Sequence, residues 1–439
     1  MPDKPNVLLV MADQWRAEAL GCMGDEQVRT PNIDRFANDG LVFERAYTPN
    51  PVCSPARGSL FTGQYPHEHG VISNTYHKLF LPDDRTTIAE CFRDAGYETG
   101  YIGKWHLDGT IDGPGYVPPD RRHGFEYWRG FNRGHPHLRG FPNVAPDGSV
   151  EWEGDREPDI ETDYALEFLD ETEGGPSFLT LSWGPPHTPY EAPAEYGELY
   201  DPDELTLRPN VPDEMADEVR ENLVEYYGMC TWLDDEFGRL LEGLEERGLA
   251  DDTVVVFTAD HGDMMGGQGR YAKGVPFEES IHVPLLVRYP PEIEGGRRST
   301  SVVNLIDLMP TLLGLCDVAV PGSVQGTDRS AHVRGEEPAS STATYLEGNL
   351  PYDDTWRAIR TDECMLAIDR TLTTTHLYDM ESDPYQLENL AGDNDVADLE
   401  DELRWRLFEL AYAYDDRFIK ARHGRQHEPE ERIPLSDGR

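Results

Sequence analysis

Residues 6–14 read NVLLVMADQ: an unbroken apolar run from Val7 to Ala12, cut off by the acid-amide pair Asp13 and Gln14. A run this short, without polar alternation, is the pattern of a strand covered on both faces, as in the parallel sheet of an α/β protein. Two more runs repeat it, Phe178 to Trp183 and Val254 to Ala259, and the second is cut off by Asp260 and His261. Polar residues directly beyond such strands stand at the carboxyl edge of an open α/β sheet, where ligands bind. One acid after a strand is usually a turn or a helix cap. Two acid-led pairs at one edge offer two carboxylates, an amide oxygen and an imidazole, a donor set for a hard divalent cation.

Outward from these runs, helical spacing and start signals mark Pro31 to Asn38 and Thr87 to Ala95, with longer helical patterns at Asp159 to Glu171 and Ala216 to Glu246. A strand is expected at Pro284 to Tyr289 and an apolar helix at Val302 to Cys316. Strands alternate with helices, which predicts an α/β doubly wound sheet flanked by helices. After the polar stretch GEEPASST, short β-like segments at Ala343 to Leu346, Trp356 to Arg360, Cys364 to Ile368 and Leu377 to Tyr378 precede a final helix from Val396. The expected division is a catalytic domain over residues 1–335, a smaller C-terminal α+β domain with antiparallel strands over 336–425, and a charged tail over 426–439.

Of the 439 residues, 84 are Asp or Glu and 38 are Lys or Arg, a formal net charge of −46, and the acids recur along the whole chain. Such self-repulsion destabilises a compact state in dilute buffer. At about 1 M salt the Debye length falls to roughly 3 Å, so the composition reads as that of a halophilic protein. It argues against nucleic acid and anionic membranes as partners. Only Lys4, Lys78, Lys104, Lys273 and Lys420 are lysines; every other basic residue is Arg. The six cysteines, at 22, 53, 91, 230, 316 and 364, are widely spaced without a CxxC pair, which fits a reducing compartment. The first apolar run is too short for a signal-peptide core or a membrane span, so a cytoplasmic location is expected.

The most informative string is CSPARGSLFTG, Cys53 to Gly63. Ser54 and Pro55 read as a helix start, which places residue 53 beside free backbone N–H groups and the positive end of a helix dipole. Arg57, one turn on, adds positive charge. The string resembles the sulfatase signature, Cys-x-Pro-x-Arg followed by a short helix and Thr-Gly. The resemblance implies an alkaline-phosphatase-like mixed sheet and a sulfuric ester hydrolase. Its nucleophile would be formylglycine, made from Cys53 by a formylglycine-generating enzyme. The hydrate of formylglycine offers one hydroxyl to attack sulfur, through a covalent sulfo-enzyme intermediate, and another to expel sulfate. The same resemblance implies one divalent metal ion, calcium first with manganese or magnesium as alternatives, held by Asp13, Gln14, Cys53, Asp260 and His261. Many sulfatases carry Asp and Asn where this chain carries Gln14 and His261.

Three further blocks follow in the family's order. YIGKWHLDG resembles the Gly-Lys-Trp-His block, implying that Lys104 contacts a sulfate oxygen and His106 the formylglycine diol. WGPPHTPY places His187 beyond the Phe178 to Trp183 run as the candidate general acid. GRYAKGVPFEESIHVPLLV, the most diverged block, offers Lys273 as a second sulfate-binding ammonium. Two of only five lysines thus fall in site motifs. THLYDMESDPYQLENLAGD resembles the family's closing element, so the likeness runs from Asn6 to about Asp393.

Other histidines carry plainer expectations. His67, His69 and His282 read as loop or packing residues, and His135 or His137 as a candidate wall of the substrate mouth. The cationic stretch Arg121 to Gly134 is expected mainly to pair with surface acids. The substrate expected is a small-molecule sulfate ester. The rival enzyme reading is a formylglycine-dependent phosphonate monoester or phosphodiester hydrolase, whose members carry the same Asp-Gln and Asp-His pairs. A rival of another class is a non-catalytic metal- and anion-binding protein with Cys53 unmodified. The sequence does not specify leaving group or oligomeric state.

Overall fold

The structure, a computed structural model, describes residues 4–74, 80–109, 113–172, 174–339, 342–348 and 354–421. Among the described residues, ten strands precede residue 305: β1 (Asn6–Asp13), β2 (Leu41–Tyr47), β3 (Glu98–Lys104), β4 (Tyr127–Phe131), β5 (Phe141–Val144), β6 (Val150–Glu153), β7 (Ser177–Pro186), β8 (Thr253–Ala259), β9 (Leu285–Arg288) and β10 (Arg297–Asn304). Eight of them form one sheet in the order β10-β2-β9-β8-β1-β7-β3-β4, and β5 pairs with β6 as a separate hairpin. The sheet is mixed because β9 runs antiparallel to both its neighbours; the other pairings are parallel.

The three apolar runs are the three central strands, and every residue of β1, β7 and β8 is buried. Val7 registers with Phe178 on one side and Val254 on the other. Helices Glu157–Glu171 and Ala216–Glu246 pack against the sheet, and both span the residues expected to be helical. At about 25 cal/mol per Å2 of apolar area removed from water, this doubly covered sheet is the main source of stability.

The predicted helix at Val302 to Cys316 is corrected at its start. Val302, Val303 and Asn304 finish β10, pairing with Arg45, Ala46 and Tyr47, and the α-helix runs Leu308–Leu315. An apolar stretch cannot declare by itself where a buried strand hands over to a buried helix. Here the handover is a 3-10 turn, Leu305–Asp307, capped reciprocally by Asn304 and Asp307.

A second sheet, antiparallel throughout, contains β11 (Ala343–Gly348), β12 (Trp356–Thr361), β13 (Cys364–Asp369) and β14 (Thr374–Asp379). Helix Ala397–Ala413 covers it through Leu403, Leu407 and Ala411. Ionic links join this sheet to short helices beside the larger sheet: His67, in helix Pro66–His69, meets Glu347, and Glu278, in helix Glu278–Ile281, meets Arg360. The tail expected at 426–439 lies outside the described residues. No helix among the described residues is long and apolar enough to cross a membrane.

Candidate active site

The carboxyl ends of β1, β3, β7 and β8 converge on the N-terminus of helix Cys53–Thr62. This ten-residue helix is buried along its whole length and ends at Gly63, whose φ of 64° needs no side chain to clash. Cys53 is its first residue, at the helix end that carries free N–H groups. Around it lie Asp13 and His261, with Sγ 3.7 Å from Asp13 Oδ1 and 3.1 Å from His261 Nε2. Ligand atoms of Asp13, Cys53, Asp260 and His261 all lie within 4.8 Å of one another, and all four residues are buried. Two carboxylates and an imidazole this close suit a divalent cation. His261 is oriented for that use: its Nδ1 donates to the Gly262 carbonyl at 3.0 Å, leaving the Nε2 lone pair toward Cys53.

Gln14 and His106 both have non-glycine backbones in the left-handed region, φ 69° and 60°. Such conformations cost of order 1–3 kcal/mol and persist where the surroundings over-determine them. The strain turns Gln14 so that its amide oxygen accepts from Lys273 Nζ while Nε2 donates to Asp263 at 2.5 Å. His106 is buried, and neither ring nitrogen has a hydrogen-bond partner among the described residues. Burial and the adjacent Lys104 push its pKa down to about 4, so it is a neutral imidazole with unused hydrogen-bonding capacity beside Cys53.

Arg57 supplies the expected positive charge one turn from Cys53. It is fully buried; Nε donates to Asp260 Oδ2 at 2.9 Å, one terminal nitrogen to Asp13 Oδ2 at 3.2 Å, and the other to Ser182 Oγ at 2.8 Å and to the Lys104 carbonyl. Its guanidinium therefore clamps both aspartates instead of reaching for a ligand. Lys104 Nζ donates to Asp13 Oδ2. Burial would raise the Asp13 carboxyl, as would a Cys53 thiolate, but Lys104, His187 and Arg57 hold it well below the usual range. Burial likewise opposes ionisation of Cys53, and Lys104, Lys273 and His261 outweigh it, keeping the thiol well below its ordinary value.

His187, beyond β7, presents Nε2 to Lys273 Nζ at 2.6 Å and donates from Nδ1 to the Thr188 carbonyl at 2.6 Å. Burial and Lys273 lower its pKa. All ten residues singled out by sequence, Asp13, Gln14, Cys53, Arg57, Lys104, His106, His187, Asp260, His261 and Lys273, thus lie in one site.

Asp263 was not singled out by sequence, and His135 and His137, expected as a wall of the substrate mouth, take closer roles. Asp263, three residues beyond Asp260, is buried and accepts from Gln14 and from the Tyr190 hydroxyl at 2.7 Å. His135 stacks on His187 with ring centroids 3.5 Å apart and planes 1° from parallel, and its Nε2 lies 3.4 Å from Lys104 Nζ. His137 supports the arrangement from behind, with Nε2 2.6 Å from the His187 carbonyl and Nδ1 3.4 Å from buried Glu157. The remaining histidines pack as expected: His67 on Glu347, His69 on Ser59, His282 on Glu18. Arg121 pairs with Asp108, whereas Arg122 and Arg129 lie over the rings of Trp128 and Tyr164.

A larger cavity, about 810 Å3, lies elsewhere, beside Glu18, Glu278, His282 and Arg360. Both His282 ring nitrogens face acceptors, Glu18 at 2.9 Å and the Glu44 carbonyl at 3.0 Å, and Arg360 pairs with Glu278 at 2.7 Å. His282 and Arg360 are paired there, while one Glu18 carboxylate oxygen has no partner; the Cys53 cluster, with two carboxylates and an imidazole at the carboxyl edge of the sheet, is the site built for the chemistry.

Residues 5–318 match the Sulfatase family, and residues 266–413 match the family described as N-sulphoglucosamine sulphohydrolase, C-terminal. The chain belongs to the sulfatase family. It is 35% identical over 434 residues to the ulvan-active sulfatase of Formosa agariphila, covering 95% of this chain and 83% of that one. Among solved structures it resembles a Bacteroides thetaiotaomicron protein of glycosaminoglycan metabolism, with TM-score 0.88, 29% identity and coverage of 97% and 100%. The phosphonate monoester hydrolase of Agrobacterium radiobacter shares the fold, with TM-score 0.80 at 24% identity over 94% of this chain and 96% of that one. As a sulfatase, this chain is a hydrolase of sulfuric esters. The family generally works through a metal ion and formylglycine, and the buried Asp13, Cys53, Asp260 and His261 cluster is compatible with both.

Proposed function

We propose that this sulfatase hydrolyses carbohydrate sulfate monoesters with residue 53 as formylglycine, in a site that also holds one divalent ion. The observation that carries the reading is the position of Cys53: first residue of a buried helix, within ligand distance of two aspartates and a histidine, and flanked by Lys104 and Lys273. The carbohydrate class comes from the relatives, one active on ulvan and one of glycosaminoglycan metabolism.

Asp13, Asp260 and His261 would hold the ion, with the Gln14 amide oxygen beside them, and ion and hydrated formylglycine together would supply an oxygen nucleophile of raised acidity. The chain's own residues account for the rest. Arg57 fixes the two carboxylates so that they need not reorganise during reaction. His106, with both ring nitrogens uncommitted, accepts the proton that a hydroxyl on residue 53 gives up. Lys104 and Lys273 neutralise charge on the sulfuryl oxygens. The proton for the leaving oxygen rests with the His187–Lys273 pair: Nδ1–H is tied to Thr188, so proton delivery goes through Nε2, which Lys273 faces. A hydroxyl of hydrated residue 53 would bond to sulfur as the ester S–O bond breaks and the alcohol leaves protonated; loss of the proton from its second hydroxyl would then break the C–O bond to sulfate and leave an aldehyde, which water would rehydrate.

The test is turnover of an aryl sulfate and a sulfated sugar by protein made with and without a formylglycine-generating enzyme. Activity confined to the co-expressed protein supports the reading. Faster turnover of phosphonate monoesters or phosphodiesters than of any sulfate would move the chain to the rival enzyme class.

A further inference from the structure

A smaller cavity, about 370 Å3, opens beside the site and is lined by Pro114, His135, Leu138, Arg139, Trp152 and Glu191. That volume is at the lower end of the range for small-molecule sites, about 300–1,000 Å3. His135 is its shared wall. One ring stacks at 3.5 Å on His187 and reaches within 3.4 Å of Lys104, so a group in this cavity lies one imidazole away from the residues assigned to sulfate and leaving oxygen.

The walls define a chemistry. Trp152, on β6, is only half-buried, and Leu138 is 38% exposed. The Arg139 guanidinium lies 4.4 Å from the centroid of the Trp152 ring. Among the described residues Arg139 has no carboxylate within ion-pair distance and no side-chain hydrogen bond, although the chain carries 84 acids against 38 bases. Nearby arginines are engaged: Arg156 with Glu195, Arg121 with Asp108. A cation held flat by an aromatic ring keeps its N–H edge free for a planar anion. Indole and leucine surfaces suit the C–H face of a sugar ring, and Glu191 offers an acceptor for its hydroxyls.

Resting on the sulfatase reading above, we propose that this cavity is the leaving-group subsite and selects a sugar that carries a second negative charge, which Arg139 pairs while Trp152 supports the ring. The charge has two sources, a uronic acid carboxylate or another sulfate ester.

The experiment compares kcat/KM of the formylglycine-bearing enzyme on four substrates: an aryl sulfate, a neutral monosulfated disaccharide, the same disaccharide with a neighbouring uronate, and its disulfated form. The expected result is a preference of about tenfold or more for a charged disaccharide over the neutral one, the scale of a charge-assisted hydrogen bond. R139Q should collapse that preference and R139K should restore part of it, while W152A lowers kcat/KM on every disaccharide and W152F recovers it. Which charged disaccharide leads distinguishes carboxylate from sulfate. Equal turnover of neutral and charged disaccharides, or a preference that survives R139Q, overturns the proposal. Turnover of none of the four substrates overturns the sulfatase reading itself.

Discussion

Arg57 and Asp260 face each other at 2.9 Å with neither side chain exposed to solvent. The same guanidinium bridges to Asp13 at 3.2 Å, so one side chain sets the spacing of the carboxylates that begin two different chain segments. R57A leaves those carboxylates buried without their counter-charge, and the expected loss is about 3–5 kcal/mol of stability. R57K should recover little, because an ammonium cannot reproduce a forked contact with two acids, a hydroxyl and a carbonyl. Denaturant unfolding of the three proteins checks both statements.

C53A should unfold at nearly the wild-type denaturant concentration yet lose turnover by roughly 10^4-fold or more, as expected for removal of a nucleophile. An alanine that keeps substantial activity would assign the chemistry to another residue.

Chelation should remove activity, and readdition of a single divalent ion should return it. D13N and D260N should need at least tenfold more ion for half-maximal activity, an estimate of about 10- to 100-fold drawn from the cost of disturbing metal-site residues. The order of calcium, magnesium and manganese in the titration identifies the native ion.

The link from helix Pro66–His69 to the smaller sheet predicts a pH effect on stability. Both His67 ring nitrogens face acceptors, Glu347 at 2.7 Å and the Tyr414 carbonyl at 2.9 Å. Burial opposes protonation, but Glu347 outweighs it and the pKa rises to about 9. A folded-state pKa above the unfolded value near 6.5 contributes stability fully below pH 6.5 and loses it as pH rises through 9. The contribution is about 3 kcal/mol at most. The stability gap between wild type and H67A should therefore be wide at pH 6 and nearly closed above pH 9.5, read from unfolding midpoints.

The net charge of −46 predicts salt dependence. Thermal stability should climb with NaCl up to about 1 M, where screening shortens to roughly 3 Å. A midpoint indifferent to salt would count against a halophilic composition.

The central strands were legible because burial on both faces leaves an unbroken apolar signature, and the polar pairs after β1 and β8 followed from strand direction. The site residues were legible as linear motifs. The direction of Arg57 was not: a motif names a cation without saying whether its neighbours consume it. His135 was read as a candidate wall of the substrate mouth, but its partners Arg139 and Trp152 were missed because they lie on a turn and a hairpin, where no periodicity marks a shared cavity. The end of β10 was misplaced because Val302 and Val303 suit a buried helix and a buried strand equally.

The most direct test of the account is the mass of the tryptic peptide Ala46–Arg57, which contains Cys53, from protein purified from its own host. The account predicts a peptide lighter than the unmodified sequence by about 18 Da, the exchange of a thiol for an aldehyde oxygen, whereas ordinary thiol oxidation adds mass. An intact thiol in catalytically competent protein would contradict it.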